Sequence, residues 1–139
     1  MIIWDVQTSR KIQKLKFEGV IYHLEWNKSI NGGVLAVCND QKLFLLNPRP
    51  LCKKNRDGID LIFEMAQASK GEQKSLLTWT FFAKTSPKYA QGFRLEISMP
   101  QIIKFITFHV KGDYFATVSP TSSKQNEQLY IHCLSKVVS

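Results

Sequence analysis

Gly19-Val20-Ile21-Tyr22-His23-Leu24-Glu25-Trp26-Asn27, followed by Leu35-Ala36-Val37, Asp40 and Leu43-Phe44-Leu45-Leu46-Asn47, decides the fold, because the chain writes it twice. The second copy is Gln101-Ile102-Ile103-Lys104-Phe105-Ile106-Thr107-Phe108-His109, then Gly112-Asp113-Tyr114-Phe115-Ala116-Thr117-Val118 and Leu129-Tyr130-Ile131-His132. Each copy holds short apolar runs separated by Gly, Asn and Asp, the pattern of strands joined by tight turns. A unit of this size cannot bury both of its own faces, so the copies must stack.

The spacing names the stack. Trp4-Asp5 and Leu46-Asn47 stand 42 positions apart, within the roughly 40–45 residue period of WD repeats. From Leu46 to His132 is 86 positions, about two such periods. The text between, rich in Lys, Ser, Gln and Pro, shows no further copy, so we read it as an insertion within one blade. The expected fold is all-β: a fragment of a WD-repeat β-propeller, about two blades with a long insertion. Residues 1–47 supply blade strands, 48–91 the insertion and 92–139 the next strands. A chain of 139 residues is short for a propeller, which needs at least about four blades, and the text starts and stops in mid-blade. The rival reading is a small independent β domain, disfavoured by the sheet edges it would expose.

Strands are expected at 2–5, 11–17, 20–26, 34–38, 42–46, 92–98, 102–108, 113–119 and 128–134. In the strand 20–26, Val20, Tyr22, Leu24 and Trp26 share one face. Lys14 and Lys16 alternate with Leu15 and Phe17 as in an outer strand guarded against edge pairing. Asn31-Gly32-Gly33, Asn39-Asp40 and Lys111-Gly112-Asp113 read as turns, and Ser119 to Glu127 as a polar loop. Pro48 and Pro50 end regular structure. Within the insertion, Ile59 to Met65 is expected to make one or two helical turns, and Leu76 to Phe82 to pack beneath the insertion.

The net charge of +8 and pI near 9.5 favour acidic partners, nucleic acid above all. The candidate contact surface is the loop cluster Arg49, Lys53, Lys54 and Arg56, which a phosphate backbone would attract without base readout. Asp57 and Asp60 beside it read as a solvated charge cluster that dilutes the attraction, rather than as a general acid and base. The three cysteines, with no CxxC pair, fit reduced thiols, Cys38 and Cys133 lying in strands. His23, His109 and His132 show no metal-like spacing, and no nucleophile-elbow, zinc-protease or phosphate-loop pattern occurs. No enzyme, cofactor, metal or small-molecule substrate is expected. No run has the length of a membrane span, and the first residues do not read as a signal peptide.

The structural candidates are Trp4, Asp5, Trp26, Asp40, His109 and Asp113. Asp40 stands where WD repeats place an aspartate that accepts hydrogen bonds across a turn, with Asn126 its counterpart in the second copy. His109 would tie an inner strand to a turn. Trp4, Trp26, Phe108 and Tyr114 are expected to pack between blades.

Ile3-Trp4-Asp5, Gly19-Val20, Glu25-Trp26-Asn27, Leu35-Ala36-Val37 and Leu45-Leu46-Asn47-Pro48 together resemble the C-terminal propeller of the block-of-proliferation ribosome biogenesis proteins. Trp79, Gly92-Phe93-Arg94-Leu95-Glu96-Ile97, His109 with Lys111-Gly112-Asp113-Tyr114 and Ala116, then Leu129-Tyr130-Ile131-His132 and Leu134-Ser135-Lys136, follow in that family's order. The resemblance implies a scaffold for large ribosomal subunit assembly, needed to mature the large-subunit and 5.8S ribosomal RNAs. It implies a trimeric complex with Pescadillo and a second WD-repeat protein, preribosomal large-subunit RNA as a partner, and residence in the nucleus, nucleolus and nucleoplasm. The competing readings are a generic WD-repeat adaptor unrelated to ribosomes and a nonfunctional truncated isoform.

Overall fold

A computed structural model describes residues 1–27, 33–70, 77–121 and 126–139. The expected turn at Asn31-Gly32, Leu76, and the middle of the loop from Ser119 to Glu127 lie outside the described residues. The described residues form three antiparallel sheets of two, five and three strands, the arrangement of an all-β WD-repeat propeller fragment. Strands β1 (Ile2–Asp5) and β2 (Arg10–Lys14) make a ribbon. Strands β3 (Ile21–Asn27), β4 (Val34–Asn39), β5 (Lys42–Leu46), β6 (Thr78–Phe81) and β7 (Phe93–Ser98) make the central sheet, in the order β3-β4-β5-β7-β6. Strands β8 (Phe105–Phe108), β9 (Tyr114–Pro120) and β10 (Glu127–Cys133) make the terminal sheet.

Side-chain parity divides the central sheet between two cores. Val34, Ala36 and Cys38 of β4, Leu43 and Leu45 of β5, and Leu95 and Ile97 of β7 pack with Ile106 and Phe115 of the terminal sheet. The alternate residues Leu35, Val37, Phe44, Leu46 and Phe93 pack with Ile3 and Leu15 from the ribbon side. Every residue of β4 is therefore buried, which is why it reads as an unbroken apolar run. Burying each of these leucines contributes about 1.5–3 kcal/mol.

Two strands are shorter than the text suggests. Strand β2 ends at Lys14, although Leu15 and Phe17 still enter the core beyond it. Strand β8 begins at Phe105, because the amide of Ile103 donates instead to the Asp40 carbonyl of the neighbouring sheet, at 3.2 Å.

The tryptophans differ from expectation. Trp4 is 56 % exposed and Trp26 44 %, and Tyr114 is also exposed. Only Phe108 is half-buried, its ring centroid 5.5 Å from that of Phe115. The reason is geometric: the ribbon has two strands and covers β4, β5 and β7, leaving the inner strand β3 bare. Tyr22, Leu24 and Trp26 do share a face, and that face is open.

The insertion leaves β5 at Asn47 and returns at Gly92, whose carbonyl accepts from the Asn47 amide at 2.8 Å. Its helical run comprises α1 (Lys53–Asn55), a π-helical stretch (Arg56–Asp60) and α2 (Leu61–Ser69). Asn55, Ile59, Phe63 and Ala66 are buried at helical spacing, a longer run than the expected one or two turns. Residues 78–81 join the sheet as β6, on the outer edge of β7, and Trp79 shares a core with Ile59, Phe63 and Ala66 of the insertion's helical run, in keeping with the expected packing. The helix α3 (Pro87–Gln91) is capped by Ser86, whose hydroxyl accepts from the Lys88 amide, and stops at Gly92 with φ 113°. A β-carbon at Gly92 would collide with the Asn47 carbonyl, so glycine is required there.

Candidate functional site

The four basic candidates sit on the start of the insertion. Arg49 lies in the turn after β5, where the Cys52 amide donates to the Arg49 carbonyl at 3.0 Å. Lys53, Lys54 and Arg56 follow on the first helical turns, and all four side chains are exposed. Their inward neighbours orient them. Asn55 donates from Nδ2 to Asn47 Oδ1 at 3.1 Å, the Arg49 amide donates to that same oxygen at 3.0 Å, and Ile59 fills the core one turn on.

Asp60 is not part of a solvated cluster. It is buried, and Arg94 of β7 grips it, Nε donating to Oδ1 at 2.8 Å and Nη2 to Oδ2 at 3.4 Å. Asn47 Nδ2 donates to the same Oδ1 at 3.0 Å. The Arg94 guanidinium lies 3.5 Å from the centroid of the Tyr89 ring and donates from Nη1 to the Tyr89 carbonyl at 2.6 Å. This network joins three parts of the insertion to the sheet. Its members are too far apart in the text for local pattern to pair them, and Asp60 sits among lysines that suggest solvent. The helical spacing of Ile59, Phe63 and Ala66 was the available signal that the Asp60 side of the helix faces inward.

With Asp60 neutralised by Arg94, one exposed carboxylate, Asp57, remains within the basic cluster. A groove of about 480 Å³ separates the cluster from the ribbon, lined by Ile12, Gln13, Arg49, Leu51, Cys52 and Ala90. The Gln13 side chain spans it by donating to the Gln91 carbonyl. Strand β2 adds exposed Arg10, Lys11 and Lys14, of which the text presents Lys14 alone, as an edge guard. The Cys52 thiol is pulled below its ordinary pKa by the Asn55 amide, and also by the Lys54 amide and the charges of Arg49 and Lys54, against a smaller opposing effect of burial.

Of the structural candidates, the polar ones serve turns. Asp5 accepts from the amides of Gln7 and Thr8 at 2.9 and 3.2 Å. At Asp40, φ is 51°, its amide donates to the Val20 carbonyl at 3.2 Å, and its carboxylate occupies the space a β-carbon on Gly19 would need. Asn126 offers its backbone carbonyl, which accepts from the amide and hydroxyl of Thr121. His109 accepts at Nδ1 from the Lys111 amide at 3.2 Å, closing the β8–β9 turn. Asp113 accepts from the Ser135 amide and hydroxyl at 2.9 and 2.8 Å, and from the Cys133 thiol at 3.4 Å. Burial pushes its carboxyl upward, but those hydrogen bonds and the Lys136 charge outweigh it and hold the pKa below the usual range.

Sequence reasoning missed a relay at the seam between central and terminal sheets. The Trp79 indole donates to Ser139 Oγ at 2.9 Å, Ser139 Oγ contacts His132 Nδ1 at 2.8 Å, and His132 Nε2 contacts Thr117 Oγ1 at 2.9 Å. Burial lowers the His132 pKa to about 4, so the ring is neutral near pH 7. The stacked Phe115 ring, 4.6 Å away, and Trp79 enclose it. No group of His, Cys, Asp and Glu arranged to hold a metal ion exists among the described residues, and no helix among them is long and apolar enough to cross a membrane.

No protein-family model matches the chain. The chain is similar to the ribosome biogenesis protein bop1-A of Xenopus laevis, 32% identical over 137 residues that cover 96% of this chain and 18% of that protein. The ribosome biogenesis protein BOP1 homolog of Aedes aegypti is 31% identical over 140 residues, covering 96% and 16%. The ribosome biogenesis protein bop1 of Danio rerio is 29% identical over 137 residues, covering 96% and 17%. The chain therefore spans less than a fifth of the length of these relatives.

Proposed function

Because this chain belongs to the block-of-proliferation family of ribosome biogenesis proteins, we propose that it is a non-enzymatic scaffold element in assembly of the large ribosomal subunit. The reading is carried by similarity to proteins so named along 96% of the chain. In it, the protein acts in the nucleus, nucleolus and nucleoplasm, in a complex with Pescadillo and a second WD-repeat protein, during maturation of large-subunit and 5.8S ribosomal RNA. Arg49, Lys53, Lys54 and Arg56 contact the phosphates of preribosomal large-subunit RNA. Two features favour that contact: the four cations are exposed on one anchored segment, and Arg94 rather than they neutralises Asp60.

The test is equilibrium binding of the chain to single-stranded fragments of large-subunit precursor RNA over a salt series. Each phosphate contact contributes about 0.7 to the slope of log affinity against log salt. Replacing all four cations by glutamine is expected to flatten the slope by up to about 3. An unchanged slope would remove these residues from the interface. Binding of a peptide without salt dependence, and none of RNA, would favour a generic adaptor.

A further inference from the structure

Leu51 is 90 % exposed, more than any other large apolar side chain among the described residues. It stands on a turn rather than on a sheet face, so a further sheet in the stack would not cover it. The turn is held in place: the Cys52 amide donates to the Arg49 carbonyl and the Arg56 amide to the Cys52 carbonyl, both at 3.0 Å. An aliphatic side chain is thus presented to solvent at a fixed point, between the exposed cations Arg49 and Lys53.

The turn forms one wall of the groove of about 480 Å³, a volume within the range of about 300–1,000 Å³ usual for small-molecule sites. The opposite wall is Ile12 and Gln13 of β2, and Ala90 of α3 adds a third side. Ile12 packs on the ribbon-side core, and α3 leads through Gly92 into Phe93 of that core, so both walls are anchored from within. The lining is apolar apart from Arg49, the Cys52 thiol and the Gln13 amide, and it contains no carboxylate. Gln13 donates from Nε2 to the Gln91 carbonyl, which fixes the amide and leaves its oxygen and second N–H for a ligand. Exposed Lys11 and Lys14 flank Ile12 and Gln13 in the strand. Of the nearby carboxylates, Asp5 is engaged by the Gln7 and Thr8 amides, and Asp57 lies on the helical run beyond the groove lining.

We infer that this groove receives an unpaired nucleobase of a single-stranded RNA, laid against Leu51 and Ile12 with its edge meeting the Gln13 amide, while Arg49, Lys53 and Lys54 hold the adjoining phosphates. The inference rests on the RNA reading above and sharpens it from phosphate attraction to a preference for single strands. The cations select an anionic ligand, and the apolar floor selects one that carries flat, uncharged groups beside its charges. A single strand supplies both, whereas in a duplex the bases stay stacked and paired.

The probe is oligouridine of about twelve nucleotides, free or annealed to oligoadenine, titrated against the whole chain. Leu51→Ser, at an exposed turn position, should weaken binding of free oligouridine about tenfold, with the salt slope, the affinity for the duplex and the unfolding midpoint all in place. Cys38 and Cys133 are buried, so alkylation by iodoacetamide reads Cys52; saturating oligouridine should suppress it and saturating duplex should not. Equal binding of oligouridine by the Leu51→Ser and natural chains, or a Cys52 as reactive with oligouridine as without it, overturns the nucleobase site. If replacing the four cations by glutamine still flattens the salt slope, the phosphate reading survives that result; if it does not, both fall. Suppression of Cys52 alkylation by polyglutamate but not by oligouridine would also overturn the proposal, making an acidic peptide the occupant.

Discussion

The central and terminal sheets come from one repeat, yet Leu43 and Leu45 are sealed in the core while Leu129 and Ile131 face water. The side chains are nearly the same and the cross-strand partners correspond: Cys38 and Ala36 in one sheet, Val118 and Ala116 in the other. What differs is the neighbour. The central sheet has the ribbon on one face and the terminal sheet on the other. Burial in a stacked repeat is thus a property of position in the stack, which local sequence encodes only as potential.

The largest expected effect lies where the central sheet has something its counterpart lacks. Asp60→Ala strands the buried Arg94 guanidinium and should destabilise the chain by about 3–5 kcal/mol in urea titration. If the loss is under 1 kcal/mol, about the ceiling for an exposed pair, the pair is solvated and the contrast between sheets fails at that point. Next comes the direct comparison. Leu45→Ala should cost about 2–5 kcal/mol, while Ile131→Ala at the matching position should cost within about 0.5 kcal/mol. Equal costs would mean that something covers the terminal face in solution.

A smaller effect depends on pH. His132 takes the place of Leu46 in the repeat, and its pKa is lowered from 6.5 to about 4. The folded protein therefore prefers the neutral ring. Its contribution is complete above about pH 6.5 and is lost as pH falls toward about 4, on the order of 3 kcal/mol at most. His132→Leu should flatten the stability profile through that window, with the terminal sheet the first to gain exchange protection. The smallest change in stability belongs to Lys53→Gln with Lys54→Gln, within about 0.5 kcal/mol, even as RNA affinity becomes less sensitive to salt.

Much of this architecture was readable. Strand β5 matched its text residue for residue, and β4 missed by one, because turn residues flank both and the repeat supplies a second copy for comparison. Harder to read were pairings that the repeat does not contain. Trp79 joins its strand to the sheet across an edge created by the insertion, and no periodicity in residues 78–81 distinguishes that edge from a buried loop. Asp60 looked like a surface charge, because ionic residues declare their environment only through a partner. Trp26 erred in the opposite sense: a large aromatic in an alternating strand implies cover, and cover is supplied by a neighbouring sheet. For the candidate site, the four cations were legible as a cluster; the frame that holds them outward was not.

The bond between the Asn47 amide and the Gly92 carbonyl brings together the two points where the insertion leaves the sheet and returns to it. For a chain closed at such a pair of points, doubling the enclosed length costs only about 0.6 kcal/mol. Extra residues could therefore accumulate between those two positions with little penalty to the strands on either side, provided the Asp60–Arg94 clasp and the β6 edge pairing survive. Room for such growth lies between the packed pieces of the insertion, since Ile59, Phe63, Ala66 and Trp79 belong to the core itself.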